Sequence, residues 1–318
     1  MYSLPQGARE ALDALLEAQE DLTAPARALS LRYRQAQGRA GEGKDLLTGE
    51  FDVLAYASSR MPATFAAVSA ALEQALPCLP QTPKSLLDVG AGPGTASLAA
   101  LALWPELELC LVERDARMAS LAGRLLSAEG KRPRLLLGDL RQADCPACDL
   151  VVAAYSLLEL AEEELVGTAC RLYGLARQAL LLVEPGTPAG HARLQRIRAA
   201  LQTAGGHVAA PCPNRSDCPL REGDWCAFSQ RLQRSAEHRR QKGGSLSYED
   251  EKFSYLLVTK ERPESVRARV RRHPRLFKGY VELELCTAQG AELLRVAKSS
   301  PLYRQARQAK AGQSFLSD

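Results

Sequence analysis

The sequence predicts an α/β chain built on a mostly parallel sheet with helices covering both faces. Three observations predict it. From residue 85 onward, five short apolar runs alternate with helical stretches. Each run is almost continuously hydrophobic, as strands buried on both faces are. A Gly-rich turn joins the first run to the helix after it, which puts a ligand site at the carboxyl edge of such a sheet.

The elements follow in order. Residues 1–80 read as helical. "REALDALLEAQE" spaces Leu12, Leu15 and Leu16 along one face with acids opposite. "TAPARALSLRYRQ" begins with Thr23 as a cap and Pro25 in the first turn. "GRAGEGKD" is a Gly-rich loop, and "MPATFAAVSAALEQAL" opens at Pro62 and stops before Pro77. The apolar runs are "SLLDV" (85–89), "LELCLVE" (107–113), "RLLLGD" (134–139), "DLVVAAY" (149–155) and "ALLLVEP" (179–185). Later come "FSYLLVTKE" (253–261) and a hairpin signature in which "YVELELC" and "AELLRVAKS" flank "TAQG". The tail from Arg304 reads as loosely held.

Composition bounds the function. Of 318 residues, 46% are apolar and 25% charged, ordinary globular values that exclude wholesale disorder. No apolar run approaches the roughly 18–20 residues needed to cross a bilayer, so a membrane partner is not expected. The N-terminal stretch has no secretory apolar core, and Glu10, Asp13, Glu17, Glu20 and Asp21 are acids a mitochondrial transit peptide avoids. A cytoplasmic location is the expectation, and there nine cysteines point to metal, redox chemistry or packing rather than disulfides. Charge is uneven: residues 206–318 hold 21 Lys+Arg against 13 Asp+Glu, a net +8, while residues 1–205 hold 20 against 24, a net −4. A basic excess in one half suits a polyanion-binding surface, and equally a solvated charged face.

"LLDVGAGPGTASLAAL" ends a strand, turns and starts a helix. Gly90, Gly92 and Gly94 leave the turn without side chains, so its backbone can approach a ligand. The pattern is G-x-G-x-G preceded by Asp88, where a dinucleotide fingerprint would be G-x-G-x-x-G. It resembles motif I of class I S-adenosylmethionine-dependent methyltransferases, in which the glycines accommodate the methionine portion and the Asp lies beneath it. Glu113 closes the second strand, where a carboxylate can accept both ribose hydroxyls. Asp139 ends the third, the adenine edge. "AAYSLLEL" occupies the acceptor position after the fourth strand but contains neither Asn/Asp-Pro-Pro-aromatic nor Pro-Cys, so no catalytic residue is assigned. Cys145 and Cys148 have C-x-x-C spacing but lie in a loop between strands.

In "CPNRSDCPLREGDWCAFSQR" (212–231), Cys212, Cys218 and Cys226 are separated by five and seven residues, and a further 59 separate Cys226 from Cys286. Four thiolates suit a closed zinc site or an iron–sulfur cluster. The loose spacing, two prolines, Trp225 and Phe228 leave both open. Beside them runs "RARVRRHPRLFK" (267–278), with no acid from 265 to 281. Arg267, Arg269 and Arg271 share one face of an extended strand, Arg272, Arg275 and Lys278 follow, and Phe277 and Tyr280 can stack on bases. Arg231, Arg234, Arg239, Arg240 and Lys242 add a second patch.

Together "RMPATFAAV", "DVGAGPGT", the cysteine segment, "YEDEKFSYL" (248–256) and "RRHPRLFKGYVELELC" (271–286) are similar to the ribosomal small-subunit methyltransferase-like family, which has mitochondrial and bacterial members. The resemblance covers nearly the whole chain. It implies a class I methyltransferase (Rossmann-like) fold with an N-terminal helical region (1–80), an S-adenosylmethionine-binding domain (81–205) and a basic, RNA-binding module (206–318) that completes the sheet. It implies a [4Fe-4S] cluster on Cys212, Cys218, Cys226 and Cys286, with zinc as the alternative. The implied partner is the small ribosomal subunit or its rRNA precursor, met by a chain that is monomeric when free. Two functions are consistent with it: rRNA methylation, or a non-catalytic role in subunit assembly. A radical enzyme is disfavoured, because a fourth thiol would close the iron that such chemistry leaves open.

Overall fold

The computed structural model describes residues 2–18, 22–36, 47, 49–213, 217–220, 223–234, 239, 246–264 and 266–315. Four helices precede the sheet: α1 (Gln6–Glu17), α2 (Thr23–Ala36), α3 (Glu50–Ser59) and α4 (Met61–Ala75). α3, "EFDVLAYASS", falls within the region read as helical but carries no clear amphipathic pattern of its own. It packs on several sides, with Val53, Ala55, Ala57, Ser58 and Ser59 all buried, so it has no clean polar face to betray its period. The "GRAGEGKD" stretch lies outside the described residues.

The central sheet then builds as β1 (Ser85–Val89), α5 (Thr95–Leu101), β2 (Glu108–Glu113), α6 (Ala116–Ala128), β3 (Arg134–Leu137), β4 (Cys148–Ala154), α7 (Glu162–Leu175), β5 (Ala176–Pro185), α8 (Pro188–Thr203) and β6 (His207–Ala210). β7 (Phe228–Gln233) and β8 (Tyr248–Thr259) complete it. Its order is β3-β2-β1-β4-β5-β8-β6, with β7 on β8. β1 to β5 pair in parallel, and β8 runs antiparallel between β5 and β6. That order, with one reversed strand beside the sixth, is the class I methyltransferase-like α/β fold with a mixed sheet.

Alternation along each strand explains the two-sided cover. In β1, Leu86 joins α4, α5 and α6 on one face, while Leu87 and Val89 join α7 and α8 on the other. Local signals start the helices. The Asp115 carboxylate accepts from Arg117 N (2.9 Å) and Met118 N (3.3 Å) at the head of α6. Thr187 Oγ1 accepts from Gly190 N at 3.1 Å before Pro188 opens α8.

β8 is 12 residues long, and its first half, from Tyr248 to Phe253, pairs with β7. A second, five-stranded sheet follows: β9 (Ala268–Val270), β10 (Arg275–Leu276), β11 (Tyr280–Thr287), β12 (Ala291–Ala297) and β13 (Ser314–Phe315), with α9 (Tyr303–Gln308). β11 and β12 form the hairpin expected around "TAQG", and β9 pairs with β11 on its other edge. Ala268, Val270, Val281, Leu283, Leu285, Val296, Ala306 and Phe315 make its separate core. Among the described residues no helix is long and apolar enough to cross a membrane.

Candidate functional site

Strand order reverses at β1, which has β2 on one side and β4 on the other. Outside the carboxyl ends of such strands a crevice opens, where ligands of this architecture bind. Here it is a cleft of about 480 Å³, lined by Gly90, Gly92, Glu113, Asp139, Tyr56 and Tyr155, among others.

The glycines divide their work. Gly90 has φ +66°, and a Cβ there would meet Ser156 Cβ at 2.4 Å, so only glycine fits. Gly92 has φ +54° and open space where a Cβ would stand, which is room a ligand can take. Gly94 (φ +79°) serves packing instead: its Cβ would press on Ala122 of α6 at 3.3 Å. The amides of this turn are occupied within the protein. Gly90 N and Ala91 N donate to Val112 O (2.9 and 3.0 Å), Gly92 N to Glu113 Oε2 (2.7 Å) and Gly94 N to Ala91 O (2.9 Å). A dinucleotide pyrophosphate would want those donors; a cationic sulfonium cofactor does not.

Asp88 departs from expectation. It is 1% exposed and does not line the cleft; its Oδ2 accepts from Ser97 N (2.9 Å) and Ser97 Oγ (2.7 Å), fixing α5 against β1. Burial pushes its carboxyl up to about 7, the Ser97 hydrogen bonds acting against this. Glu113 Oε1 accepts from Asp115 N at 2.9 Å, so this carboxylate braces the turn and still has lone pairs for ribose hydroxyls. Asp139 is held by Arg141, whose guanidinium also reaches Glu164 at 2.7 Å. Arg114 pairs with Glu159 at 3.1 Å across the same cleft. Tyr155 takes the acceptor position. It is the one non-glycine residue among those described with positive φ, +59°, and its hydroxyl donates to Glu251 Oε1 at 3.0 Å. Sequence spacing gave no sign of Arg114, Arg141 or Glu251 in this role.

A second cavity lies beside β8, which lends it Ser254, Tyr255 and Leu256. Cys212, Cys218, Cys226 and Cys286 all line it, with His191 and Arg271. The chain brings them there by leaving the sheet after β6, crossing to β7, and returning Cys286 on β11. Cys218 Sγ stands 4.0 Å from His191 Nε2, a neighbour no motif announced. Burial pushes the Cys212 thiol up to about 11, and Cys286 and Cys218 push it the same way. Burial, then Cys212, Cys286 and Cys218, raise Cys226 well above the thiol range, so the four groups sense one another. Yet among the described residues no three His, Cys, Asp or Glu side chains are arranged to hold a metal ion. What the structure shows is that the four thiols line one cavity.

The basic strand needs correction. Arg269 and Arg271 do share a face, but it points inward. They are 3% and 9% exposed. Arg269 donates to Gln74 Oε1 (3.1 Å) and Gly312 O (3.0 Å), and Arg271 to Asp224 Oδ2 (2.6 Å). A two-residue period defines a face without saying which side faces water, and β9 is covered on both. Arg267, Arg272, Arg275 and Lys278 are exposed. Arg272 pairs with Asp224 (3.1 Å) and Arg275 with Glu284 (2.6 Å). Phe277, 43% exposed, stacks on Tyr280 with centroids 4.6 Å apart and planes 13° apart. In the second patch Arg231 pairs with Asp250 (2.7 Å) and Arg234 with Glu249 (2.8 Å), while Arg240 and Lys242 lie outside the described residues.

Fold and cleft define a class I methyltransferase-like protein. Residues 50–316 match the family described as mitochondrial small ribosomal subunit Rsm22, and the chain belongs to that family. The human "Ribosome assembly protein METTL17, mitochondrial" is 32% identical over 286 residues, covering 80% of this chain and 60% of the human protein. "Rsm22-cox11 tandem protein 2, mitochondrial" of Schizosaccharomyces pombe is 26% identical over 247 residues, covering 65% of this chain and 32% of that protein. The chain thus spans 60% of the length of the human relative and less of the yeast one. Among solved structures, magnesium protoporphyrin IX methyltransferase of Synechocystis PCC 6803 with bound SAM is similar at TM-score 0.41 and 14% identity, covering 82% of this chain and all of that one. The plantazolicin methyltransferase BpumL gives 0.42 and 12%, covering 76% of this chain and all of that one.

These names overturn the cytoplasmic expectation. The family and both curated relatives are mitochondrial by name, pointing to that organelle. The acids that suggested otherwise include Glu10, Asp13 and Glu17, which are the exposed face of folded α1. They report a helix in water, not an address.

Proposed function

We propose that this protein acts in assembly of the small ribosomal subunit, binding S-adenosylmethionine in the β1–β4 cleft, a thiolate-ligated metal centre in the cysteine cavity and rRNA through its exposed basic surface. The observation that carries the reading is the cleft at the strand-order reversal, with its open Gly92 and its carboxylates. Gly90 and Gly92 would border the methionine portion, Glu113 would accept from the ribose hydroxyls and Asp139 would lie at the adenine edge. When bound, the cofactor supplies an electrophilic methyl group. The chain's own residues bind and orient it: the turn amides are engaged internally, so the site offers carboxylates and shape to a cation.

A non-catalytic reading is favoured by one observation. Tyr155 and its hydrogen-bonded Glu251 fill the acceptor position, and burial holds the Tyr155 hydroxyl well above its ordinary range, as a donor and not a base. The cofactor then stabilises the fold or reports its own abundance.

Cys212, Cys218, Cys226 and Cys286 would hold the metal centre. Thiols that share a cavity without closing on one point suit a polynuclear iron–sulfur centre, whose sulfurs lie farther apart than those around a single zinc. The centre would tie the loop after β6 to β11 and so stabilise the second sheet.

Calorimetric titration of the protein with S-adenosylmethionine tests the reading. One saturable site is expected, lost in Glu113→Ala; no heat at millimolar cofactor would overturn it. Labelled methyl transfer to small-subunit precursors then separates the two functions.

A further inference from the structure

One edge of the central sheet is open. β3 ends the strand order, and among the described residues β2 is its only strand neighbour. Just past the strand, Gly138 N donates to Glu113 O of β2 at 3.0 Å. Backbone groups point to alternate sides along a strand, so those of Arg134 and Leu136 also face β2. The N–H and C=O groups of Leu135 and Leu137 then point outward, as an unfilled strand template.

The side chains there are apolar as well. Leu135 lies opposite Leu111 and Leu137 opposite Glu113, so both take the face that packs on α6. Leu111 is buried, but Leu135 and Leu137 are 39% and 64% exposed. Arg134 lies opposite Cys110 and therefore projects from the other face.

Beside the leucines runs an open groove of about 880 Å³ between α1 and α6. The start of α1 is fixed to the end of α6, where Ala8 N donates to Glu129 Oε1 at 2.6 Å. Ala11, Leu15, Gly123 and Leu135 line the groove, with Arg124 and Arg132 as its charged residues and no carboxylate among its described lining. Arg124, Arg132 and Arg134 are all exposed, and among the described residues none has a carboxylate partner.

This chemistry selects an occupant. Outward backbone groups at alternate positions match an extended chain added to the sheet. Such a chain turns every second side chain to one face, where the leucines and the groove take apolar groups. Three unpaired guanidinium groups favour carboxylates on the same segment. A second copy fits poorly, because it would bring two sets of three arginines to one seam with no acid between them. The groove lining offers no aromatic ring on which an RNA base could stack.

We infer that the β3 edge and the α1–α6 groove form a docking site for an extended segment of another protein, apolar at alternate positions and otherwise acidic. The segment adds a strand beyond β3. The inference depends on neither the cofactor nor the rRNA reading.

The test uses the full chain and labelled peptides of about ten residues, the upper length of an ordinary strand. One alternates leucine with glutamate and carries glutamate at both ends. A second has lysine for every glutamate, and a third keeps the first composition but gathers the leucines together. Fluorescence anisotropy should show saturable binding of the first, with the other two at least about tenfold weaker. Arg124→Glu with Arg132→Glu, both at exposed positions, should weaken the first peptide about tenfold and strengthen the lysine peptide. Amide exchange at Leu135 and Leu137 should slow in the complex, while Leu136, already bonded to β2, should change little. Equal binding of the alternating and gathered peptides, or unchanged exchange at Leu135 and Leu137, would overturn the added strand. No saturable binding of any peptide at about 1 mM would overturn the site. A dimer seen by sedimentation and lost in Leu137→Asp would assign the edge to a second copy instead. Single-stranded RNA that binds the parent and not the arginine variant, where no peptide binds, would assign it to nucleic acid.

Discussion

The hydroxyl of Tyr155 donates a 3.0 Å hydrogen bond to Oε1 of Glu251, 96 residues further along the chain. The pair joins the two sites. Tyr155 lines the β1–β4 cleft, and three residues after Glu251, Ser254 Oγ donates to Cys226 O at 2.6 Å, with Tyr255 and Leu256 lining the cysteine cavity. β8 thus holds the partner of Tyr155 and, three to five residues on, part of the lining of the cysteine cavity. Tyr155 also holds φ +59°, a conformation that costs a tyrosine on the order of 1–3 kcal/mol and persists only where the surroundings impose it. Tyr155→Phe should lower stability by about 0.5–1.5 kcal/mol. Glu251→Ala should cost more, about 1–3 kcal/mol, because it leaves a buried hydroxyl without its acceptor. The double variant should fall well short of the sum, since the two residues share one interaction. Urea unfolding of the four proteins measures this, and strict additivity would show that the bond does not couple them.

Gly90 and Gly92 should respond differently to the same change. Gly90→Ala drives a Cβ against Ser156 at a positive φ, so the turn must move and the protein should lose stability measurably, with no cofactor binding. At Gly92 the added methyl meets nothing, so the stability cost should be only the left-handed backbone penalty of about 1–2 kcal/mol. Its methyl enters the cleft, so affinity for S-adenosylmethionine should still fall. Calorimetry and unfolding on both variants check the split. A Gly92→Ala protein that binds cofactor like the parent would move the ligand away from this turn.

Much of the sheet was legible because its strands are buried on both faces and their runs are nearly pure in Leu, Val and Ala. β1 spans Ser85–Val89, the residues the apolar run marks. The glycines at 90 and 92 stand where the backbone adopts positive φ, and at 90 a Cβ would also strike Ser156. What failed concerns direction. Asp88 stands in the glycine motif but faces α5, where Ser97 N and Ser97 Oγ both donate to it. Arg269 and Arg271 alternate as a strand requires, yet no period says that Cys286 and Gln74, from distant parts of the chain, cover that side. The partnership of Tyr155 with Glu251, 96 residues apart, is a long-range fact that no local pattern carries.

Glu184 gives the protein a pH dependence of definite sign. It is 1% exposed on β5, and neither carboxylate oxygen has a hydrogen-bond partner among the described residues. Burial raises its pKa from 4.5 to about 8, with Arg193 acting the other way. The folded state therefore keeps a proton that the unfolded chain releases near 4.5, so the group's contribution is full below that pH and is lost as pH rises toward 8. Asp88, raised to about 7, acts in the same sense. Each group can contribute a slope of at most about 1.4 kcal/mol per pH unit. Glu184→Gln should flatten the curve and leave the variant more stable than the parent at pH 8, with little difference at pH 5. Urea midpoints across that range check it. A parent whose stability rises from pH 5 to 8 would mean that Arg193 holds Glu184 ionised.

The basic strand makes the sharpest division between surface and interior. Lys278 is exposed beside the stacked rings of Phe277 and Tyr280, while Arg269, nine residues earlier, is 3% exposed and hydrogen-bonded to Gln74 and Gly312. If the outer surface meets rRNA, Lys278→Ala should weaken binding uniformly and reduce the slope of log affinity against log salt by about 1, one phosphate contact fewer. Phe277→Ala should cost about 1–3 kcal/mol of binding through lost base stacking and leave the salt slope nearly unchanged. Arg269→Ala should behave otherwise. It empties a buried site that ties β9 to α4, so unfolding should come at lower urea, while the folded fraction keeps the parent's salt slope. Binding of a small-subunit rRNA fragment from 50 to 200 mM salt, on all three variants, tests the assignment; a slope that changes with Arg269 and not with Lys278 would reverse it.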